Sequence, residues 1–219
     1  MVNIDFFNNL SSLLTSKNVC LVAVSKTRPI EAILKLYEAG QRIFGENKVQ
    51  DLLTRYEVLP KDINWHLIGH LQRNKVKYIA PFVSLIHSVD GLELLKEIDK
   101  QAQKNDRVID CLLQFYIAEE ETKFGLDYSE AEALLKSPEY AAMQNIRIVG
   151  VMAMASFVDD EAQLRAEFKS LKQIFEQLKQ AFFANNQSFK EISMGMSGDY
   201  KIAIDEGATM VRVGSLLFL

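Results

Sequence analysis

Residues 18–47 read NVCLVAVSKTRPIEAILKLYEAGQRIFGEN. The run opens on a short Val-rich apolar segment, Val19–Ser25, flanked by polar residues, which reads as a strand. Arg28-Pro29 follows, and proline suits the first turn of a helix. The helical period continues to Ala39, and Gly40 supplies the usual C-terminal stop. Arg42–Phe44 then reads as a second short strand. Strand, helix and strand in one such stretch form a βαβ unit, with parallel strands joined by a right-handed crossover.

The same alternation runs in both directions from there. A leading helix is predicted over 3–16. After the second strand come a helix over 48–58, a strand Asn64–Ile68 and a basic helix Gln72–Ile79 that stops before Pro81. Next are a strand Val83–His87, a helix Gly91–Lys104, a strand Val108–Tyr116, a loop AEEETKFGLD and a helix Ser129–Lys136. A strand Ile146–Met152 precedes the clearest helix, Asp160–Phe183. Its Leu164, Phe168, Leu171, Phe175, Leu178 and Phe182 recur at intervals of three and four and form one apolar stripe. A short strand Glu191–Ser193, a helix Gly198–Glu206 and a strand Thr209–Val213 complete the pattern. About eight parallel strands in this length fit a single α/β domain over 1–219, a closed (β/α)8 TIM barrel with an extra N-terminal helix. A doubly wound open sheet is the alternative. It places a glycine-rich turn after its first strand, whereas SKTRP stands here.

Composition narrows the function. The chain has 219 residues, 48% apolar and 25% charged, which is ordinary globular usage. Area scaling gives burial of roughly 70% of the unfolded surface, so a core needs no disulfide or metal. The net charge of −4 lacks the basic excess of a nucleic-acid or acidic-membrane binder. No apolar run reaches the length of a membrane span, and MVNIDFFNNLSSLL does not read as a secretory signal. Cys20 and Cys111 lie in apolar runs and read as buried small hydrophobes. A reducing, cytoplasmic location is expected.

In a barrel the chemistry sits at the C-terminal ends of the strands. Lys26 follows an apolar strand whose Val22 and Val24 face one way. Desolvation there would lower its pKa and make it a Schiff-base nucleophile. A lysine that snorkels to solvent is the other reading. The loops after strands seven and eight carry Ser193-Met194-Gly195-Met196-Ser197-Gly198-Asp199 and Gly214-Ser215. They form either a phosphate cup, with Ser197 opening a helix, or ordinary loop and cap chemistry. Arg212, inside the last strand, needs an acceptor. That is a ligand atom or a structural carboxylate such as Asp205 or Glu206. His66 and His70, four apart on a strand, are too distant to share a metal ion. Met152, Met154, Met194 and Met196 read as core and pocket wall. Arg73, Lys75 and Lys77 read as a solvated basic face.

These features, with the motifs around them, resemble the pyridoxal phosphate (PLP) homeostasis proteins, the barrel of the alanine racemase N-terminal domain (PLP fold type III). The matching segments are AVSKT at Ala23–Thr27, FGENKVQD at Phe44–Asp51, WHLIGHLQRNK at Trp65–Lys75 and HSVD at His87–Asp90. GVMAMA at Gly150–Ala155, SMGMSGDY at Ser193–Tyr200 and VRVGS at Val211–Ser215 complete the set, in the family's order over nearly the whole chain.

The resemblance implies a role for each matching residue. Lys26 matches the lysine that forms the internal aldimine, and Asn47 an asparagine near the ring. Ser193 and Ser197, with the backbone of Met194, Gly195 and Met196, match one half of the phosphate cup; Gly214 and Ser215 match the other. Arg212 matches the arginine facing the pyridine nitrogen, and His66 and Ile68 line the wall. The chain departs from the family at Leu216–Leu219, where an FGxR pattern is common, and at Lys48 and Asp51. The implied function is to hold PLP on Lys26 and buffer or deliver it within vitamin B6 homeostasis, PLP-dependent apoenzymes being the recipients. No robust catalysis and no metal are expected, and a monomer is the expected state. A PLP-dependent amino-acid racemase is the alternative; it needs a base on each face of the substrate, and no stretch is left over for the second domain that carries one. A cofactor-free Schiff-base aldolase is the third reading.

Overall fold

Alternate residues on each strand divide between two cores, and this division builds the barrel. A computed structural model describes residues 2–118 and 125–218. Its strands are β1 (Cys20–Val24), β2 (Ile43–Glu46), β3 (Asn64–Leu67), β4 (Leu85–Val89), β5 (Ile109–Gln114), β6 (Ile146–Met152), β7 (Glu191–Ser193) and β8 (Met210–Val213). All neighbours pair in parallel, and β8 returns to β1 to close an eight-stranded barrel. Val22, Leu85, Leu112, Val149, Met152 and Met210 pack inside it. Their neighbours along the strands, such as Ala23, Phe44, Trp65, Ile86, Leu113 and Val211, face the outer helices. Strands buried on both faces explain the continuous apolar runs of the sequence.

The helices are α1 (Ile4–Ser16), α2 (Ile30–Glu38), α3 (Val49–Val58), α4 (Val76–Ile79), α5 (Leu92–Lys104), α6 (Tyr128–Lys136), α7 (Pro138–Ala142), α8 (Glu161–Phe182) and α9 (Tyr200–Asp205). Asn3 caps α1 through the Phe6 N–H, and Asp160 caps α8 through the N–H groups of Ala162 and Gln163. The α8 stripe is buried from Leu164 to Leu178. Burying five such side chains contributes on the order of 10 kcal/mol before entropy is counted. α1 begins beside the end of the chain: Val2 bridges Phe218, and Asn3 N–H donates to the Leu217 carbonyl at 2.9 Å. The atypical tail is therefore packed, with Leu217 and Phe218 buried and the Arg28 guanidinium over the Phe218 ring.

Local differences from the sequence reading have local causes. The basic helix at 72–79 is a 3-10 turn, Arg73–Lys75, followed by the single turn α4. Ser137 ends α6 and caps α7, a short helix with Pro138 in its first turn that the sequence reading missed. The last helix starts at Tyr200 and not at Gly198, because residues 194–199 are occupied in building a turn. Most of the loop AEEETKFGLD, residues 119–124, and Leu219 lie outside the described residues.

Candidate functional site

A cavity of about 830 Å³ opens at the C-terminal ends of the strands. It collects Lys26 from the end of β1, Asn47 from β2, Ile68 from β3 and Arg212 from β8. Met196, Ser197, Gly214 and Ser215 line it from the last two loops. His66, Ser193, Met194 and Gly195 do not reach its wall. Five segments of the sequence thus converge because the barrel brings the strand ends to one rim.

Lys26 stands two residues beyond β1 and is exposed. The side chain is not enclosed by the strand's apolar face, since the strand ends at Val24 before the chain turns outward. The turn itself is strained. Thr27 adopts φ +62°, which costs a β-branched residue of order 1–3 kcal/mol. A buried network opposes that strain. The Ser25 hydroxyl donates to Glu46 Oε1, and Arg55 on α3 pairs with the same carboxylate. Arg55 also donates to the Arg28 carbonyl at 3.0 Å, so it grips the turn on the far side of Lys26. Glu46 is fully buried and Arg55 nearly so. Sequence reasoning missed both; a carboxylate at the end of a buried strand with an arginine nine residues on was the available signal.

The cup is tied together by its own chain. Ser197 does not cap a helix. Its Oγ accepts the Gly214 N–H at 3.1 Å and joins the two loops. Gly195 has φ +88°, and a Cβ there would lie 3.1 Å from Tyr200 Cα, so glycine is required at that turn. The Arg212 N–H donates to the Gly195 carbonyl at 2.9 Å, and the Asp199 carboxylate accepts the Met196 N–H. On the opposite wall Glu167 of α8, also missed, accepts from the Ser156 N–H and hydroxyl at 2.7 Å each and holds the β6–α8 loop.

Under the cavity floor runs a buried polar chain. Arg212 donates to Ser193 Oγ at 2.7 Å and to the Ala153 carbonyl at 3.0 Å. Ser193 Oγ lies 3.0 Å from His87 Nδ1, and His87 Nε2 lies 3.0 Å from His66 Nδ1. Arginine can only donate. The arrangement that uses every proton has Ser193 donate to His87, which donates to His66. Ser193 is therefore engaged below the cavity, in contrast to its expected place in the cup, and His66 lies beneath the wall. Among the described residues Arg212 forms no salt bridge to a carboxylate; Asp205 and Glu206 pair instead with Arg165. Burial pulls Arg212 down to about 10, with the charge of Asp199 opposing, so it remains a cation at neutral pH.

This chain gives the fold an acid limit. Burial lowers His66 to about 3 and His87 well below its ordinary 6.5. The unfolded chain therefore binds more protons than the folded one between about pH 6.5 and 3, and stability falls as pH drops through that window. At pH 5 the His66 shift alone should cost about 2 kcal/mol relative to pH 7.5, and His87 acts in the same direction. Urea melts at the two pH values check this, and the double variant His66→Gln/His87→Gln should flatten the difference.

Comparison with known proteins fits the geometry. The family model of the alanine racemase N-terminal domain matches residues 6–219. A pyridoxal phosphate homeostasis protein of Aquifex aeolicus is 41% identical over 200 residues, 90% of this chain and 85% of that one. The chain belongs to the pyridoxal phosphate homeostasis protein family. Another homeostasis protein, from Helicobacter pylori, is 38% identical over 91% of this chain and 87% of its own. Among solved structures, PipY of Synechococcus elongatus with PLP bound superposes at a TM-score of 0.84, with 35% identity over 97% of this chain and 99% of that one. Alanine racemase of Bartonella henselae, at 17% identity, a TM-score of 0.73 and 99% of this chain against 62% of its own, shares the fold. Within this homeostasis-protein barrel no helix among the described residues is long and apolar enough to cross a membrane.

Proposed function

We propose that this chain, acting as one domain over 1–219, binds pyridoxal phosphate reversibly in the cytoplasm and buffers or delivers it. The observation that carries the reading is that one cavity joins the Lys26 amine, the Arg212 guanidinium and a cup of hydroxyl and backbone N–H groups. This donor set suits an aldehyde, a ring nitrogen and a phosphate held together, and the cavity is of ordinary small-ligand size. The PipY structure, with PLP bound, points the same way. Bound pyridoxal phosphate supplies an aldehyde for amine capture and an electron-withdrawing ring.

The protein's residues do the rest. Lys26 offers its amine at the rim, among the described residues with no carboxylate paired to it. Ser197, Ser215 and the backbone of Gly198 hold the phosphate, with Gly214 N–H fixing the Ser197 hydroxyl. Asn47 and Ile68 bound the ring edge and face. Arg212 donates an N–H without surrendering its proton, so the ring nitrogen stays unprotonated and the ring is a weaker electron sink. That favours holding over carbanion chemistry. PLP-dependent apoenzymes are the recipients, and the carrier acts as a monomer.

The test adds PLP to the apo-protein and then presents the loaded protein to an apo PLP-dependent enzyme. A visible band on loading and recovery of the recipient's activity are expected. Exchange of amino-acid α-protons with solvent at a turnover rate would instead favour a racemase, and no band at all would end the PLP reading.

A further inference from the structure

We propose that Asp199 sets how loosely the cup holds the phosphate: its carboxylate builds the turn and at the same time repels the anion. This rests on the PLP reading above. Asp199 is 9% exposed and lines the cavity beside Ser197, Gly198, Gly214 and Ser215. Its carboxylate accepts the Met196 N–H, which closes the turn that presents Ser197 to Gly214. Among the described residues no cation forms an ion pair with it. The cation whose charge reaches it is Arg212, which directs one N–H of each end nitrogen to Ser193 and the Ala153 carbonyl and none to Asp199.

The electrostatics are unusual for a phosphate site. A bound phosphate monoester carries about −1.5 to −2 charge at pH 7. Tight phosphate sites surround that charge with Arg or Lys. Here the cup's own groups are hydroxyls and backbone N–H groups, and among the described residues its one ionisable side chain is acidic. Burial pushes the Asp199 carboxyl up, as expected where water cannot screen it well. A negative wall lowers affinity and speeds departure of the anion. A carrier needs this, because a cofactor held too tightly is never delivered.

Charge and scaffolding separate cleanly by substitution. Asp199→Asn keeps an oxygen for the Met196 N–H and removes the charge. Asp199→Ala removes both. Equilibrium binding and release rates are measured on the apo full chain with PLP, inorganic phosphate and pyridoxal, which lacks the phosphate. For Asp199→Asn we expect PLP and inorganic phosphate to bind tighter, on the order of tenfold, with slower PLP release. Pyridoxal binding should stay unchanged. Asp199→Ala should weaken PLP binding because the turn loses its closure. Asp199→Ser, neutral with a short acceptor, repeats the Asn test if Asn fails to fold. Unchanged or weaker PLP binding in the neutral acceptor variants overturns the inference, as does an equal gain for pyridoxal. A wild type that binds no PLP overturns the underlying reading instead, and the two failures are read from different proteins.

Discussion

The Lys26→Ala protein should lose its visible PLP band and bind PLP at least about 100-fold more weakly, while unfolding at nearly the wild-type urea concentration. Removing a covalent anchor leaves only the cup, Arg212 and ring contacts, and each factor of ten is worth about 1.4 kcal/mol. The stability should change by about 0.5 kcal/mol or less, because Lys26 is exposed and carries no ion pair among the described residues. Lys26→Arg is the sharper control. It keeps the positive charge at the rim but cannot form the covalent link. If Arg restores the band or the affinity, attraction between charges and not amine capture explains the wild-type binding. Reduction of the loaded wild type with borohydride, followed by peptide mapping, should place the retained mass on Lys26.

Arg55→Ala should be the most damaging single substitution outside the cavity, costing about 3–5 kcal/mol. The cost comes from what remains. Glu46 is fully buried, and among the described residues no group donates a hydrogen bond to its Oε2. Without Arg55 its charge has, among the described residues, only the Ser25 hydroxyl. Against a usual total stability of about 5–15 kcal/mol, that is a large share. The same change frees the Arg28 carbonyl and with it the strained turn at Thr27, so PLP affinity should fall with stability even though Arg55 does not reach the cavity. Replacing both partners, Glu46→Leu with Arg55→Leu, should recover most of the stability, since no unpaired charge is left, but not the affinity, since the grip on Arg28 stays lost. A loss under 1 kcal/mol for Arg55→Ala would mean that water or a rearranged donor reaches Glu46, and the anchoring role would be withdrawn.

Sequence alone determined the barrel. Alternation of buried strands with amphipathic helices is a local property, set by residue spacing, and it places Lys26, Asn47, Ser197, Arg212 and Gly214 at one rim by topology. The motif resemblance then supplied a role for each. What only the tertiary structure decided is depth. Ser193 and Arg212 are both inward-facing residues near strand ends, and spacing cannot tell which one reaches the cavity. The register does: Ser193 pairs with Met210, two residues before Arg212, so the guanidinium lies above Ser193 and reaches down to it. His87 meets the same hydroxyl from across the barrel, a contact spanning 106 positions of sequence. Lys26 ended in solvent because β1 stops at Val24, and the Glu46–Arg55 grip, like the placing of the Asp199 carboxylate, arises where separate elements meet. Periodicity records which face of its own element a residue occupies; how far up the barrel it sits, and what it meets there, is fixed only when the strands take their stagger and close.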